Sequence, residues 1–241
     1  MTTFRSAAWG DIQRLRTKVS ALGAASSAAE AAQGFAGVFT DAFDSVVLAR
    51  VFAVVELSEL PPPERDFALS LASGGTLAPN TRVLCLLGSR GQREAWNDRR
   101  QSRGHLAIPL VSADSVRQAP MIAQLLGDLH VDLRALDDGR PLAPRQLLLG
   151  RRGTFFVQDA LTSTDADGRL IIATQEFARE LGVRSVFGMG GAYVGGTLLA
   201  AIVFCSELLE RAQVEAFASF IDTFKQVTAE HVSQGRLFDA G

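Results

Sequence analysis

"VRSVFGMGGAYVGGTLLAAIVFCS" (183–206) is a pair of apolar runs joined by a glycine-rich segment. The G-x-G-G inside it could suggest a phosphate loop, but a dinucleotide fingerprint must open a helix directly after a strand, and here another strand follows. The stretch therefore predicts a β-hairpin. Beyond it, Val214, Phe217, Ile221, Phe224 and Val227 lie along one stripe, opposite Glu215, Ser219, Asp222 and Gln226, which predicts a long helix over 207–232.

Upstream of the hairpin, "TFFVQDA" (154–160) reads as a strand, "DADG" as a turn and "TQEFAREL" as a short helix capped by Thr174. "SVVLARVFAVVEL" (45–57) is dense in β-branched residues and predicts a long central strand. "TRVLCLLG" (81–88) and "HLAIPLVS" (105–112) are two further strands, with Pro109 favouring an edge or irregular position for the second. Helices are expected where Ile12, Leu15, Val19 and Leu22 recur, and where Phe35, Val38, Phe39, Ala42 and Phe43 mark one face. Two more are expected in "PPPERDFALSLASGG", with proline at its start and glycine after its end, and in "APMIAQLLGDL". "DDGRPLAPRQ" (137–146) reads as an internal connecting loop. The expected class is α/β (α+β), a central and mainly antiparallel sheet flanked by helices, with long N- and C-terminal helices.

The composition narrows the function classes. Hydrophobic residues make up 47% of the 241-residue chain and charged residues 21%, with a formal net charge of -2. Such a chain can bury a core, and it carries no strong field pointing to nucleic acid or anionic lipid. No apolar run reaches the ~18 residues of a membrane span, and the first residues lack the pattern of a signal peptide. Cys85 and Cys205 lie inside apolar runs, as free cysteines of a reducing cytoplasm do. The expected partners thus exclude nucleic acid and membrane, and the expected location is cytoplasmic. The basic residues are almost all arginine, Lys18 and Lys225 excepted, which a high-GC genome explains as readily as a function does.

The order strand, turn, strand, long closing helix resembles the last section of a GAF domain, a small-molecule sensor module of bacterial signalling proteins. "WNDRRQSRGHLAIPL", "FFVQDAL" and "VRSVFGMGGAYVGGTLLAAIVF" are similar to a GAF-like sensory segment at the front of some bacterial sensor histidine kinases. The resemblance covers roughly residues 35–232, and it implies one GAF-like domain: an N-terminal helical extension (1–34), a sensor core (35–232) and a tail (233–241). It also implies a small-molecule ligand, a homodimer through the terminal helices and a signalling output partner. Both cysteines sit in strands, which disfavours a covalent bilin, and the signature of cyclic-nucleotide GAF domains is missing, so no cofactor is assigned. The segment either works alone or belongs to a longer sensor.

The loop between the second and third strands holds the candidate site. Arg90, Arg93, Arg99, Arg100 and Arg103 surround Trp96 and end at His105. Arginines can hold an anion through bidentate hydrogen bonds, with the indole as a stacking face. Trp96, Asn97, Arg99, Ser102 and His105 are the candidate ligand-binding residues here, with Arg93 and Arg103 read as surface. Arg50 joins them because it interrupts an apolar strand, where an unpaired charge is costly. It needs water, a ligand or an acidic partner such as Asp159 or Glu176. No second His or Cys stands near His105 at metal-ligand spacing, and His130 and His231 read as helix-end surface residues.

Three readings follow. The first is a non-enzymatic sensor whose cavity takes a small, anionic ligand and whose terminal helices carry the signal onward. The second is a stand-alone enzyme with His105 as acid or base and Arg99 orienting an anion. The third is a protein-interaction module with its cavity filled by its own side chains.

Overall fold

In the computed structural model, residues 3–72, 76–140, 142 and 153–239 are described. Six strands form one sheet in the order β3-β2-β1-β6-β5-β4, and every neighbouring pair is antiparallel. They are β1 (Val46–Glu56), β2 (Arg82–Gly91), β3 (Ala107–Leu110), β4 (Gly153–Val157), β5 (Ser185–Ala192) and β6 (Leu198–Cys205). The expected antiparallel sheet flanked by helices is thus what the chain forms. The 183–206 hairpin is β5 and β6, closed by a turn in which Gly196 takes φ +91°, a conformation that L side chains rarely adopt. β1 is central as expected, and β3, which contains Pro109, is an edge strand. An edge leaves one side of the strand without a ladder, so the missing proline N–H is tolerated there.

Strand alternation sends side chains to two different layers. On one face, Ala49, Val51 and Ala53 of β1, Cys85 and Leu87 of β2 and Val203 and Cys205 of β6 join a cluster with three helices. These are α1 (Trp9–Ala21), α2 (Ala28–Ala42) and the C-terminal helix (Phe220–Ser233). Phenylalanines interlock this layer. Phe217 packs on Phe4, Phe39, Phe43, Phe187 and Phe220 with ring centroids 5.3–6.4 Å apart. Burying one such ring contributes roughly 1.5–3 kcal/mol. α2 presses so closely on β2 that a Cβ at Gly88 would run into the Ala32 backbone.

The opposite face carries Leu48, Phe52, Val54, Leu84, Leu86, Ile202 and Phe204. It is covered by short elements and connecting segments. They include α4 (Ala113–Arg117), α5 (Pro120–Asp128), α6 (Arg134–Asp137) and α7 (Gln175–Glu180). α3 (Pro62–Ser70) packs beside β3.

Several sequence expectations are corrected. The helix expected over 207–232 is two pieces, α8 (Arg211–Glu215) and α9 (Phe220–Ser233), because the chain turns at 216–219 to seat both Phe217 and Phe220 in the core. α2 begins at Ala28, capped by the Ser27 hydroxyl, which accepts from the Glu30 N–H at 3.0 Å. It therefore crosses the expected 34/35 boundary of the sensor core. Ile12, Leu15 and Val19 of α1 are buried in the chain's own core, and α1 packs on α9. The stripes expected to build a homodimer are occupied within one chain. His231 is buried rather than a surface residue, on the core-facing side of α9. Thr174 precedes α7, but its side chain makes no capping hydrogen bond. The loop expected over 137–146 lies outside the described residues except for 137–140 and 142.

The C-terminal segment is docked, not loose. The Ala28 and Ala29 N–H groups at the start of α2 donate to the carbonyls of Arg236 and Leu237 at 3.0 and 2.9 Å. Those are amides that a helix cannot satisfy internally. The Ser27 hydroxyl bonds the Asp239 carboxylate at 2.6 Å.

Candidate functional site

A cavity of about 690 Å³ lies between the second face of the sheet and its covering segments, within the ~300–1,000 Å³ typical of small-molecule sites. Its floor is the sheet: Leu48, Arg50 and Phe52 from β1, Leu84 from β2, and Ile202 and Phe204 from β6. One wall is Met121, Ile122 and Leu125 of α5, and another is Ile171, Ile172 and Phe177. The loop from 93 to 105 closes the remaining side with Trp96, Ser102, Arg103 and His105. β-branched and leucine side chains that alternate onto this face meet segments too short to fill the space above them, so the space stays open.

Four of the six expected site residues meet at this cavity: Arg50, Trp96, Ser102 and His105. Trp96 is held edge-to-face against Phe177 at 5.8 Å, and the Arg93 guanidinium sits over its ring at 5.2 Å. Arg93 and Arg103 were expected at the surface alone; both are exposed, yet both also line the cavity. Arg93 is neutralised by Glu180.

Asn97 and Arg99 stand outside the cavity lining. The Asn97 side-chain oxygen accepts from the Gly91 N–H at 3.0 Å, and its carbonyl accepts from Gln33 Nε2 at 3.1 Å, so it braces the loop against β2 and α2. Arg99 is buried, paired with Glu64 of α3, and donates to the Leu86 carbonyl at 3.4 Å. Its guanidinium lies 5.7 Å from the Phe238 ring of the C-terminal segment. The loop is two-sided as a result: Trp96, Ser102 and His105 face the cavity, while Arg99 fixes the loop to α3 and to the C terminus. The proposed pairing of Arg99 with His105 in one catalytic site is not assembled.

Arg50 carries the strongest chemistry. It has neither of the carboxylate partners expected for it, since Asp159 pairs with Arg184 at 3.5 Å. Its Nε is buried with no hydrogen-bond partner among the described residues. Burial pushes its guanidinium down to about 10, which still leaves it charged at neutral pH. Ser89 stands directly opposite Arg50 across the β1–β2 ladder, on the same face of the sheet, and its buried hydroxyl is also without a partner. So is that of Ser102. His105 is accessible at the cavity wall, yet crowding there and then the nearby Arg50 charge push its imidazole down to about 4. At neutral pH it is uncharged. Among the described residues no Asp or Glu lines the cavity.

The Arg50–Ser89 juxtaposition was beyond sequence reading, because it depends on the register of β1 against β2 and on the bulge between Val51 and Phe52. Cys85 and Cys205 are free and buried, and burial raises both thiols to about 12. Among the described residues no group of three His, Cys, Asp or Glu side chains could hold a metal ion, and no helix is long and apolar enough to cross a membrane.

No protein-family model matches the chain, and no curated protein matches it. Solved structures do. A free methionine-R-sulfoxide reductase from Neisseria meningitidis is similar at TM-score 0.49 and 9% identity, over 93% of this chain and 92% of that one. The GAF domain of an Acinetobacter phosphoenolpyruvate-protein phosphotransferase is similar at TM-score 0.48 and 11% identity, over 95% and 99%. A phycocyanobilin-bound GAF domain from a cyanobacterial phytochrome follows at TM-score 0.46 and 10% identity, over 92% and 96%. At these identities the likeness is one of chain path, and no ligand or reaction passes from those proteins to this chain.

Proposed function

We propose that the chain is a GAF-type sensory unit that binds a small anionic ligand in the cavity between the sheet and the 93–105 loop. The observation that carries this is Arg50: a guanidinium on an apolar strand, aimed into a cavity lined by no carboxylate among the described residues, with an unsatisfied Nε. A buried charge without a partner costs several kcal/mol unless something completes it. An anion in the cavity would complete it, and would also take a hydrogen bond from Ser102.

Transmission follows from the two-sided loop. A ligand that holds Trp96 and His105 in one arrangement favours the same arrangement of Arg99, and through it the docking of Phe238. Ligand binding then shifts the population of the docked C-terminal segment, the end from which a signal would pass to an output partner such as a histidine kinase. A homodimer, if one forms in the cytoplasm, uses surfaces other than the buried stripes of α1 and α9.

Native mass spectrometry of freshly purified protein tests the function. An extra mass that disappears on denaturation, and is lost in Arg50→Met, is the expected result. A bare mass in the unmodified protein, together with no anion that raises its melting temperature, would overturn it.

A further inference from the structure

The chemistry of the cavity specifies its ligand more narrowly than "an anion", and this step rests on the sensory reading above. We infer that the natural ligand is a monocarboxylate with a flexible alkyl body, its head group on Arg50 and its chain running over the sheet towards α5.

The charge count comes first. Among the described residues four cationic or titratable side chains line the cavity: Arg50, Arg93, Arg103 and His105. Glu180 neutralises Arg93, and its guanidinium is also engaged over the Trp96 ring. Arg103 is exposed at the mouth, where water screens it. His105 is uncharged down to about pH 4. Among the described residues one half-buried, uncompensated positive charge remains, that of Arg50. A single buried charge is best matched by one opposite charge; a phosphate monoester or a dicarboxylate would bring a second negative charge without an interior partner.

The donor set is next. A planar guanidinium suits the two oxygens of a carboxylate. The unpartnered Ser102 hydroxyl at the cavity wall adds a donor, and the neutral imidazole of His105 adds a second. Arg50 and His105 lie close enough for the guanidinium charge to act on the imidazole. Among the described residues Gln101 and Thr174 are the other polar side chains of the lining, too few to form the ring of amide and carboxylate groups that would read a nucleobase or a sugar.

The body of the ligand is set by the floor and the α5 wall. Leu48, Leu84, Met121, Ile122, Leu125 and Ile202 are aliphatic, and Met and Leu side chains adapt to a flexible chain. Trp96 and Phe177 stand against each other at the loop side and leave no parallel pair of rings to sandwich a flat aromatic ligand. An alkyl chain buries against such a surface at roughly 0.8 kcal/mol per methylene.

The test uses the 241-residue chain in a Trp9→Phe background, so that Trp96 is its sole tryptophan; Trp9 is 71% exposed and outside the cavity. Dodecanoate, dodecan-1-ol and dodecyl phosphate are titrated at pH 8, below their aggregation concentrations, with Trp96 fluorescence and calorimetry as readouts. One dodecanoate per chain is expected, bound about 10- to 100-fold more tightly than the alcohol, as a charged hydrogen bond requires. It should also bind more tightly than the phosphate. Arg50→Met should bind dodecanoate and dodecanol equally, and Ile122→Trp, which fills the cavity from a half-buried wall position, should bind neither.

Equal binding of acid and alcohol by the parent, or a preference for the phosphate, overturns the monocarboxylate. Dodecanoate binding that survives both Arg50→Met and Ile122→Trp overturns it as well, since the chain would then lie elsewhere. If none of the three probes binds but native mass spectrometry still shows an Arg50-dependent mass, the alkyl carboxylate falls and the sensory function stands. If that mass is absent too, both fall.

Discussion

The two faces of the sheet are built from the same strands and end in opposite conditions. On the α1–α2–α9 face, long helices bring phenylalanines into a closed layer around Phe217, and each ring is met by others. On the other face, short helices and connecting segments leave about 690 Å³ unfilled above Arg50. Two arginines, one buried and one half-buried, repeat the contrast. Arg99 has Glu64 and the Leu86 carbonyl; Arg50 has no carboxylate among the described residues. One face is arranged for stability and the other gives some of it up. That division is what a binding protein requires, because a groove that fills itself has nothing left to recognise.

Phe217→Ala should do the greatest damage, lowering the unfolding free energy by about 3–5 kcal/mol in urea titrations, since it leaves a cavity among five rings. A loss under about 1 kcal/mol would mean that the closed face is not the stabilising one. Glu64→Ala comes next at about 3 kcal/mol, because Arg99 would be left buried and uncompensated. Its melting transition should fall even though residue 64 does not line the cavity. Ile122→Ala, on the open wall, should cost only about 1 kcal/mol, as its side chain has fewer neighbours to lose. Arg50→Met in ligand-free protein should be neutral or stabilising by about 1 kcal/mol, the reverse of what a paired arginine would show.

The smallest effect is in pH. The His105 imidazole is ordinarily half-protonated near 6.5 and in the fold only near about 4. The unfolded chain therefore binds more protons between those values, and stability contributed by neutral His105 is complete above about 6.5 and declines as pH falls towards 4. Exposure of the ring keeps the slope shallow. His105→Gln should flatten it, and Arg50→Met should move the His105 titration upward when followed by NMR. An unchanged titration in Arg50→Met would separate the two residues.

Local pattern was enough for the strands. The β-branched run at 45–57, the glycine-rich hairpin at 183–206 and Pro109 at an edge are legible because alternation and turn chemistry act between near neighbours. Trp96, Ser102 and His105 were legible as a cluster because one loop carries them. Arg50 stood out because a charge in an apolar strand always demands an explanation.

What sequence by itself determined, then, is the element types, the antiparallel α+β class and the residues that are chemically out of place. The tertiary structure alone decided where each of those residues points. Neighbouring loop positions carry Trp96 to the cavity and Arg99 to Glu64, and the sequence spacing between them does not encode which side of the loop faces the sheet. The register of β1 and β2 sets Ser89 against Arg50, and the turn at 216–219 splits the closing helix so that Phe217 and Phe220 both reach the core. The physical reason is common to all three. Sequence periodicity reports which side chains avoid water, whereas pairing, register and the choice of partner depend on contacts between segments far apart in the chain, and only the packed fold brings those together.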